Sequence, residues 1–216
     1  MLYIVTPLSR VENLESIVKS FPYNFKNSEF VQWHVLVDNK IEGKDQKLAI
    51  ALSKLYNNQF CLSSTGTSNA FVGHAHRNEF ISEYSDSEFI KNNSDFIDES
   101  SDICDWVYFL DDDTILHPKF LLEILQELND TKHAIIFDQE DKDGNIRLAA
   151  DINNVKVGHI DMGQYVINLS LLPEDIQFKE DDYCADGIFI EELFNRVGPE
   201  QFIVINKTLS TYNKLR

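Results

Sequence analysis

The strongest constraint on the fold is an apolar segment that runs directly into three acidic residues. Residues 106–110 read WVYFL, and Asp111, Asp112 and Asp113 follow without a spacer. A short apolar segment of this composition is typical of a buried β-strand. In open α/β sheets, ligands bind beyond the carboxyl ends of the strands. The junction therefore predicts a binding site at the end of this strand.

The rest of the chain alternates between strand and helix patterns. Residues 2–5 and 33–37 are short apolar runs, and apolar residues recur with helical spacing over 11–21. This alternation predicts an α/β protein with a mostly parallel sheet. Asp-Gly-Asn at 143–145 is typical of a hairpin turn. The hairpin adds antiparallel strands, so the sheet is predicted to be mixed.

Length and composition limit the organisation and the partners of the protein. The chain has 216 residues, of which 43% are hydrophobic, so we expect one domain. Asp and Glu number 36 against 19 Lys and Arg, a formal net charge of −17. Such a field repels nucleic acid and anionic membrane surfaces. No apolar run approaches the length of a membrane span. An anionic ligand would need a bound cation, helix N-termini or one or two placed arginines.

Two local features complete this description. Residues 86–105 are polar and acidic, with Lys91 as the only basic residue, and we interpret them as a surface insertion. The three cysteines are odd in number and widely spaced, and they form no CxxC pair. This pattern favours a reducing compartment and predicts a cytoplasmic protein.

Three adjacent carboxylates repel one another unless a cation lies among them. Hard divalent cations such as Mg²⁺ and Mn²⁺ take oxygen ligands of this kind. In an extended backbone Asp111 and Asp113 point to one side and Asp112 to the other, so at most two are expected to share a metal.

Other interpretations of the acidic triplet remain open. It is also compatible with a solvated loop that caps the helix beginning near Pro118, or with a non-catalytic cation-binding module. Phosphohydrolases with a DxDxT strand motif share its first and third aspartates. Here, however, position 115 is Ile115, and the threonine comes one residue earlier.

The segment WVYFLDDDTILHPKFLLEI resembles the DxD region of glycosyltransferases with the A-type (GT-A) fold. Further segments resemble parts of the same family in the same order: 3–7, 37–38, 76–79, 159–168 and 183–189. The last two are similar to segments of inverting glucuronyltransferases that meet the acceptor and carry the catalytic base. The resemblance covers about residues 2–206. It implies a GT-A-like three-layer sandwich around a mixed, mostly parallel sheet.

The resemblance also implies an activity. The expected protein is a metal-dependent, inverting glycosyltransferase that uses Mn²⁺ or Mg²⁺. It would move a sugar from a nucleotide-diphosphate donor, with a UDP-sugar as the first choice, to a glycan or glycoprotein acceptor. Residues 1–113 would form the nucleotide-binding half and residues 114–216 the acceptor and catalytic half. The chain is either a complete transferase domain or one domain of a larger polypeptide.

Roles for individual residues follow from the same resemblance. On the donor side, Asp113 would be the direct metal ligand, and Asp111 or Asp112 would contact the ribose or a metal-bound water. Arg77 would contact the nucleotide or its diphosphate. The remaining nucleotide contacts are assigned to strand ends: Thr6, Pro7 and Asp38.

On the acceptor side, Asp186 would be the general base, with Asp181 and Asp182 as alternatives. Asp161 and Gln164 would hold hydroxyl groups of the acceptor or of the donor sugar. The glucuronyltransferases carry a histidine near the C-terminus that touches the diphosphate. Here the matching region has no histidine, which leaves Lys207 or no residue for that role.

Overall fold

The structure is a computed structural model that describes residues 1–21, 28, 30–37, 60–64, 73–85 and 104–216. Only the backbone is described for residues 60–64 and Ser85. The predicted nucleotide contact Asp38 and residues 86–103 of the acidic insertion lie outside this part of the chain.

A mixed sheet of nine strands forms the centre of the described residues. The strands are β1 (Leu2–Leu8), β2 (Val31–Val37), β3 (Phe60–Ser64), β4 (Trp106–Phe109), β5 (Ile115–Leu116), β6 (Ala134–Glu140), β7 (Ile146–Leu148), β8 (Tyr165–Asn168) and β9 (Phe202–Thr211). Their order is β3-β2-β1-β4-β8-β6-β9-β5, and β7 pairs with β6. The pairings run β1, β2, β3, β4, β6 and β9 in one direction and β5, β7 and β8 in the other. The predicted mixed, mostly parallel sheet is therefore confirmed.

Four α-helices cover the two faces of this sheet among the described residues. They are α1 (Leu14–Ser20), α2 (His74–Ser85), α3 (Phe120–Glu127) and α4 (Ala185–Val197). Leu2 and Ile4 of β1 pack in one core with α1 and α3, whereas Tyr3 and Val5 pack in a second core with α2 and α4. Successive strand residues point to opposite faces, so one strand supplies both cores. The sheet therefore lies between two layers of helices, α1 and α3 on one face and α2 and α4 on the other.

The acidic triplet does not continue β4 as an extended strand. The backbone turns after β4, and the Thr114 N–H donates to the Asp111 carbonyl over 3.0 Å. The expected alternation of the three side chains is therefore wrong, because it requires an extended backbone. In the turn, Asp112 and Asp113 both contact the side chain of Arg10.

The predicted hairpin is confirmed between β6 and β7, which pair antiparallel. Gly144 in its turn has φ of +86°, a left-handed conformation that glycine adopts without a steric penalty. The hairpin carries Arg147 on β7 to the edge of the cleft described below. A local turn signal thus determines where a charged residue of the site lies.

Candidate active site

A cleft of about 670 Å³ opens beyond the carboxyl ends of β1 and β4. Its walls come from the loop after β1, the start of α2, the acidic triplet, the loop before β8, the start of α4 and the segment after β9. The sequence-predicted residues that line it are Pro7, Arg77, Asp111, Asp112, Asp113, Asp161 and Asp186. Residues from both halves of the chain therefore meet around one cavity.

Arginine supplies the positive charge of this cleft. Of the five arginines in the sequence, four line it: Arg10, Arg77, Arg147 and Arg216. None of the described lysines does. The planar guanidinium binds carboxylates and phosphates through two parallel hydrogen bonds and is more weakly hydrated than an ammonium group. The selection of arginine over lysine is therefore typical of a site that recognises such anions.

Asp112 ties the loop after β1 to the triplet. One carboxylate oxygen, Oδ2, accepts hydrogen bonds of 2.7 Å from the backbone N–H groups of Ser9 and Arg10 and from the Ser9 hydroxyl. The other oxygen, Oδ1, accepts from Arg10 Nη1 over 2.5 Å. The residue is buried. These contacts give Asp112 a structural task, and its predicted ribose contact stays a prediction.

Asp113 lies between two arginines. Its Oδ2 atom is 2.7 Å from Nε of Arg216 and 3.0 Å from Nη1 of Arg10. The backbone reinforces this contact, since the Leu215 N–H donates to the Asp113 carbonyl over 3.0 Å. The side chains of Arg10 and Arg216 are 34% and 57% exposed. Part of each side chain is therefore open to a ligand in the cleft.

Arg77, in contrast, is held on several sides. It forms an ion pair with Asp111, and its Nη1 atom is 2.8 Å from Nδ1 of His74. Its guanidinium lies 5.8 Å from the centre of the Phe178 ring. Because arginine can only donate, His74 Nδ1 must accept, which requires a neutral imidazole. Burial, together with the Arg77 charge, lowers the pKa of His74 to about 4, in agreement with this state.

The carboxylates of the cleft influence one another. Burial raises the pKa of Asp111 to about 7; Arg77 opposes this shift, and the charges of Asp161, Asp113 and Asp186 add to it. About a third of the Asp111 side chain remains open. A carboxylate in such surroundings is stabilised in its charged form by any cation that binds nearby.

Asp186 lies in the first turn of α4 and faces the cleft. Its Oδ2 atom accepts from the Met162 N–H over 3.1 Å, and the Tyr165 hydroxyl donates to its backbone carbonyl over 3.0 Å. Burial and the charge of Asp161 raise its pKa, whereas the N–H groups of Gly187 and Met162 lower it. A positioned carboxylate with a raised pKa has the properties of a general base.

Asp161 and Gln164 have different positions. Asp161 lines the cleft and forms an ion pair of 2.8 Å with Arg147. Gln164 is fully buried; its Oε1 atom accepts from the Asp161 N–H over 3.0 Å, and its Nε2 atom donates to the carbonyls of Phe137 and Leu148. Gln164 therefore holds the turn that presents Asp161 and does not line the cleft.

Four more residues named from the sequence do not line the cavity. Thr6 is fully buried, and its hydroxyl accepts from Trp33 Nε1 over 3.0 Å. Lys207 pairs with Glu123 on an exposed surface at 2.6 Å, so the diphosphate role considered for it is not supported. The alternative bases Asp181 and Asp182 are also absent from the lining of the cleft.

Sequence reasoning missed three of the cleft arginines. A signal existed for Arg10, because it lies in the loop after β1, at the sheet edge where ligands bind. Arg147 and Arg216 carried no comparable signal. Arg147 follows a hairpin turn, and Arg216 reaches Asp113 only because β9 is longer than its apolar core suggests.

The donor set fits a divalent cation only in part. Among the described residues, no group of three or more His, Cys, Asp or Glu side chains forms a metal-binding cluster. Asp113, however, offers an oxygen, Oδ1, that accepts no hydrogen bond from the described residues. Mg²⁺ commonly binds through one or two carboxylates together with substrate phosphates. The residues therefore fit a cation that shares its coordination with a phosphate-bearing ligand.

Comparison with solved structures identifies the fold. The chain matches residues 1–349 of TarS from S. aureus with a TM-score of 0.65 at 13% identity, over 97% of this chain and 59% of that one. It matches the mannosyltransferase PcManGT from Pyrobaculum calidifontis, in complex with GDP-Man and Mn²⁺, with a TM-score of 0.61 at 9% identity, over 98% of this chain and 56% of that one. It also matches glucosyl-3-phosphoglycerate synthase from Mycobacterium tuberculosis, in complex with Mn²⁺, UDP and glucosyl-3-phosphoglycerate. That match has a TM-score of 0.58 at 13% identity, over 97% of this chain and 71% of that one.

These neighbours share the fold of A-type glycosyltransferases, so the chain has the GT-A fold. It spans about three fifths of the length of the TarS fragment. No protein-family profile and no curated protein sequence matches the chain. Among the described residues, no helix is long and apolar enough to cross a membrane.

Proposed function

We propose that the protein is a glycosyltransferase that moves a sugar from a nucleotide-diphosphate donor, with UDP as the expected nucleotide, to a glycan or glycoprotein. One observation carries this proposal: four arginines, the acidic triplet and a candidate base line one cleft in a GT-A fold. A protein with net charge −17 otherwise repels a diphosphate. Clustered arginines remove this difficulty locally.

The donor end of the cleft contains Arg10, Arg77, Arg216 and the triplet. Arg77 is buried and fixed, so we assign it a constant contact to the nucleotide or its diphosphate. Arg10 and Arg216 are partly exposed and turn from Asp113 toward the phosphates when the donor binds. Asp113 would hold a Mn²⁺ or Mg²⁺ ion, which would supply Lewis-acid stabilisation of the leaving diphosphate.

The acceptor end contains Asp186 and Asp161. Asp186 takes the proton of the acceptor hydroxyl. At the same time the oxygen of that hydroxyl bonds to the anomeric carbon of the donor sugar. The bond from that carbon to the diphosphate breaks, and the nucleoside diphosphate leaves with the electron pair. With a single base opposite the leaving group, the anomeric configuration inverts. Asp161, aligned by Gln164 and Arg147, holds a sugar hydroxyl.

The ligands of the structural neighbours support the choice of nucleotide and metal. TarS was crystallised with UDP and with UDP-GlcNAc, and the mannosyltransferase with GDP-Man and Mn²⁺. For this chain we propose one domain over 1–216, with the nucleotide in 1–113 and the acceptor in 114–216. We propose that it acts in the cytoplasm, alone or as one domain of a larger polypeptide.

Calorimetric titration of UDP with and without Mn²⁺ tests the proposal. UDP should bind to the wild-type protein, and Mn²⁺ should tighten its binding. Asp113→Ala should remove the effect of the metal. The matched control is Asp175→Ala, which removes an exposed aspartate that pairs with Arg196. Absence of UDP binding, or an unchanged metal effect in Asp113→Ala, contradicts the proposal.

A further inference from the structure

Two apolar side chains are exposed at the acceptor end of the cleft. Tyr183 is 72% exposed and lies three residues before Asp186, and Val157 is 37% exposed. Both line the cavity. Neither side chain belongs to the two hydrophobic cores. Folding alone therefore does not account for an open aromatic ring beside the candidate base.

The wall that carries these side chains is well packed. A Cβ atom on Gly187 would lie 3.1 Å from the Cα atom of Val157, so the loop around Val157 rests directly on the first turn of α4. The Val157 N–H also donates to Oε2 of Glu191 over 2.8 Å. The backbone at Val157 is thus held against the first turn of α4, next to Asp186. Val157 and Tyr183 present apolar surface to this end of the cleft.

Charge divides the cleft into two unlike ends. Two acidic side chains, Asp161 and Asp186, line the acceptor end, and Arg147 is the base that lines it among the described residues. Arg147 is already bound to Asp161 and stacks 3.8 Å from the centre of a tyrosine ring. The acceptor end is therefore negative, in contrast to the arginine-rich donor end. An acceptor that carries phosphate or carboxylate groups is repelled there.

We propose that Tyr183 and Val157 form the acceptor subsite and that its ligand is an uncharged carbohydrate. A sugar ring has an apolar C–H face and a rim of hydroxyl groups. The face packs on the Tyr183 ring, as apolar groups do on exposed aromatic surfaces, and one hydroxyl reaches Asp186. This inference rests on the proposed function and adds to it the chemical class of the acceptor and the residues that select it.

The test measures binding of simple sugars by saturation-transfer NMR, with the donor end filled by UDP and Mn²⁺. The neutral probes are methyl glycosides of glucose, galactose and N-acetylglucosamine, and the anionic probes are glucuronic acid and 3-phosphoglycerate. At least one neutral glycoside should bind, more tightly than either anion. Tyr183→Ala should weaken that binding about three- to tenfold, the loss expected for an aromatic contact. Tyr183→Phe should retain it, because the ring is kept.

Phe30→Ala is the matched control, because Phe30 is an aromatic residue that is 61% exposed and does not line the cleft. It should bind the glycosides like the wild type. Preference for an anionic probe, failure of every neutral glycoside to bind, or unchanged affinity in Tyr183→Ala overturns the inference. UDP binding is measured by calorimetry in the same samples. If the wild type does not bind UDP, the proposed function fails as well; if it binds, only the acceptor assignment fails.

Discussion

Replacing Arg216 with alanine is expected to change the affinities for Mn²⁺ and for UDP in opposite directions. Nε of Arg216 lies 2.7 Å from Oδ2 of Asp113, the proposed metal ligand. The guanidinium therefore competes with a metal ion for the carboxylate. The same group is a proposed contact to the diphosphate. Its removal should raise the affinity for Mn²⁺ in the absence of UDP and lower the affinity for UDP in the absence of Mn²⁺.

The two magnitudes follow from the exposure of Arg216. Its side chain is 57% exposed, so its ion pair with Asp113 contributes about 0.2–1 kcal/mol. A metal ion that no longer has to displace this partner should bind about 1.4- to fivefold more tightly. A hydrogen bond between charged groups contributes about 1.5–3 kcal/mol. The exposed position favours the lower limit, so affinity for UDP without metal should fall about tenfold.

Electron paramagnetic resonance of Mn²⁺ and calorimetry of metal-free UDP measure these two affinities independently of any catalysis. The control is Arg196→Ala, since Arg196 pairs with Asp175 on an exposed surface and does not line the cleft. Both affinities should stay unchanged in this variant. If Arg216→Ala shifts both affinities in the same direction, or leaves UDP binding unchanged, Arg216 is not shared between the carboxylate and the phosphates.

Three other outcomes test the site and its support. Asp186→Asn should lower the rate of sugar transfer by about 10²–10⁴-fold and leave the calorimetric affinity for UDP unchanged; a rate above a tenth of wild type rules out the base assignment. Gly163→Ala should lower the free energy of unfolding in urea by about 1–3 kcal/mol, because its Cβ would lie 2.0 Å from Nε2 of the buried Gln139; an unchanged urea midpoint contradicts this packing. The pKa of Asp111 is about 7 in the folded protein against an ordinary 3.8, so between these values the folded state keeps a proton that the unfolded state releases. Its contribution to stability therefore falls as pH rises from 3.8 to 7. In EDTA, the unfolding free energy of the wild type minus that of Asp111→Asn, a variant that keeps a partner for Arg77, should decline over this pH range. A difference that does not change with pH contradicts the raised pKa of Asp111.

Local sequence was sufficient for the elements around the site. The apolar run 106–110 and the three aspartates are adjacent in the chain, so a strand with acids at its end follows from local pattern alone. The hairpin at 143–145 likewise depends on turn residues within a few positions. These predictions agree with the structure because short-range backbone preferences and tertiary packing favour the same result.

Predictions failed where the backbone departed from a regular element. The triplet forms a turn, so Asp112 and Asp113 contact one arginine where an extended strand would have separated them. The continuous apolar run of β9 ends at Ile205, but the strand continues to Thr211 and stays paired with β6 through two register shifts. Lys207 therefore belongs to the sheet and pairs with Glu123. The segment after β9 places Arg216 in the cleft instead.

The sequence by itself determined the fold class, the position of the acidic triplet and the need for a local counter-charge in a chain of net charge −17. It could not determine which counter-charges are used. Arg10 and Asp112 are 102 residues apart, and Asp113 and Arg216 are 103 residues apart. Contacts over such separations depend on how β1, β4 and β9 lie in one sheet. Only the tertiary structure therefore decided that arginines, collected from four distant segments, meet the aspartates at one site.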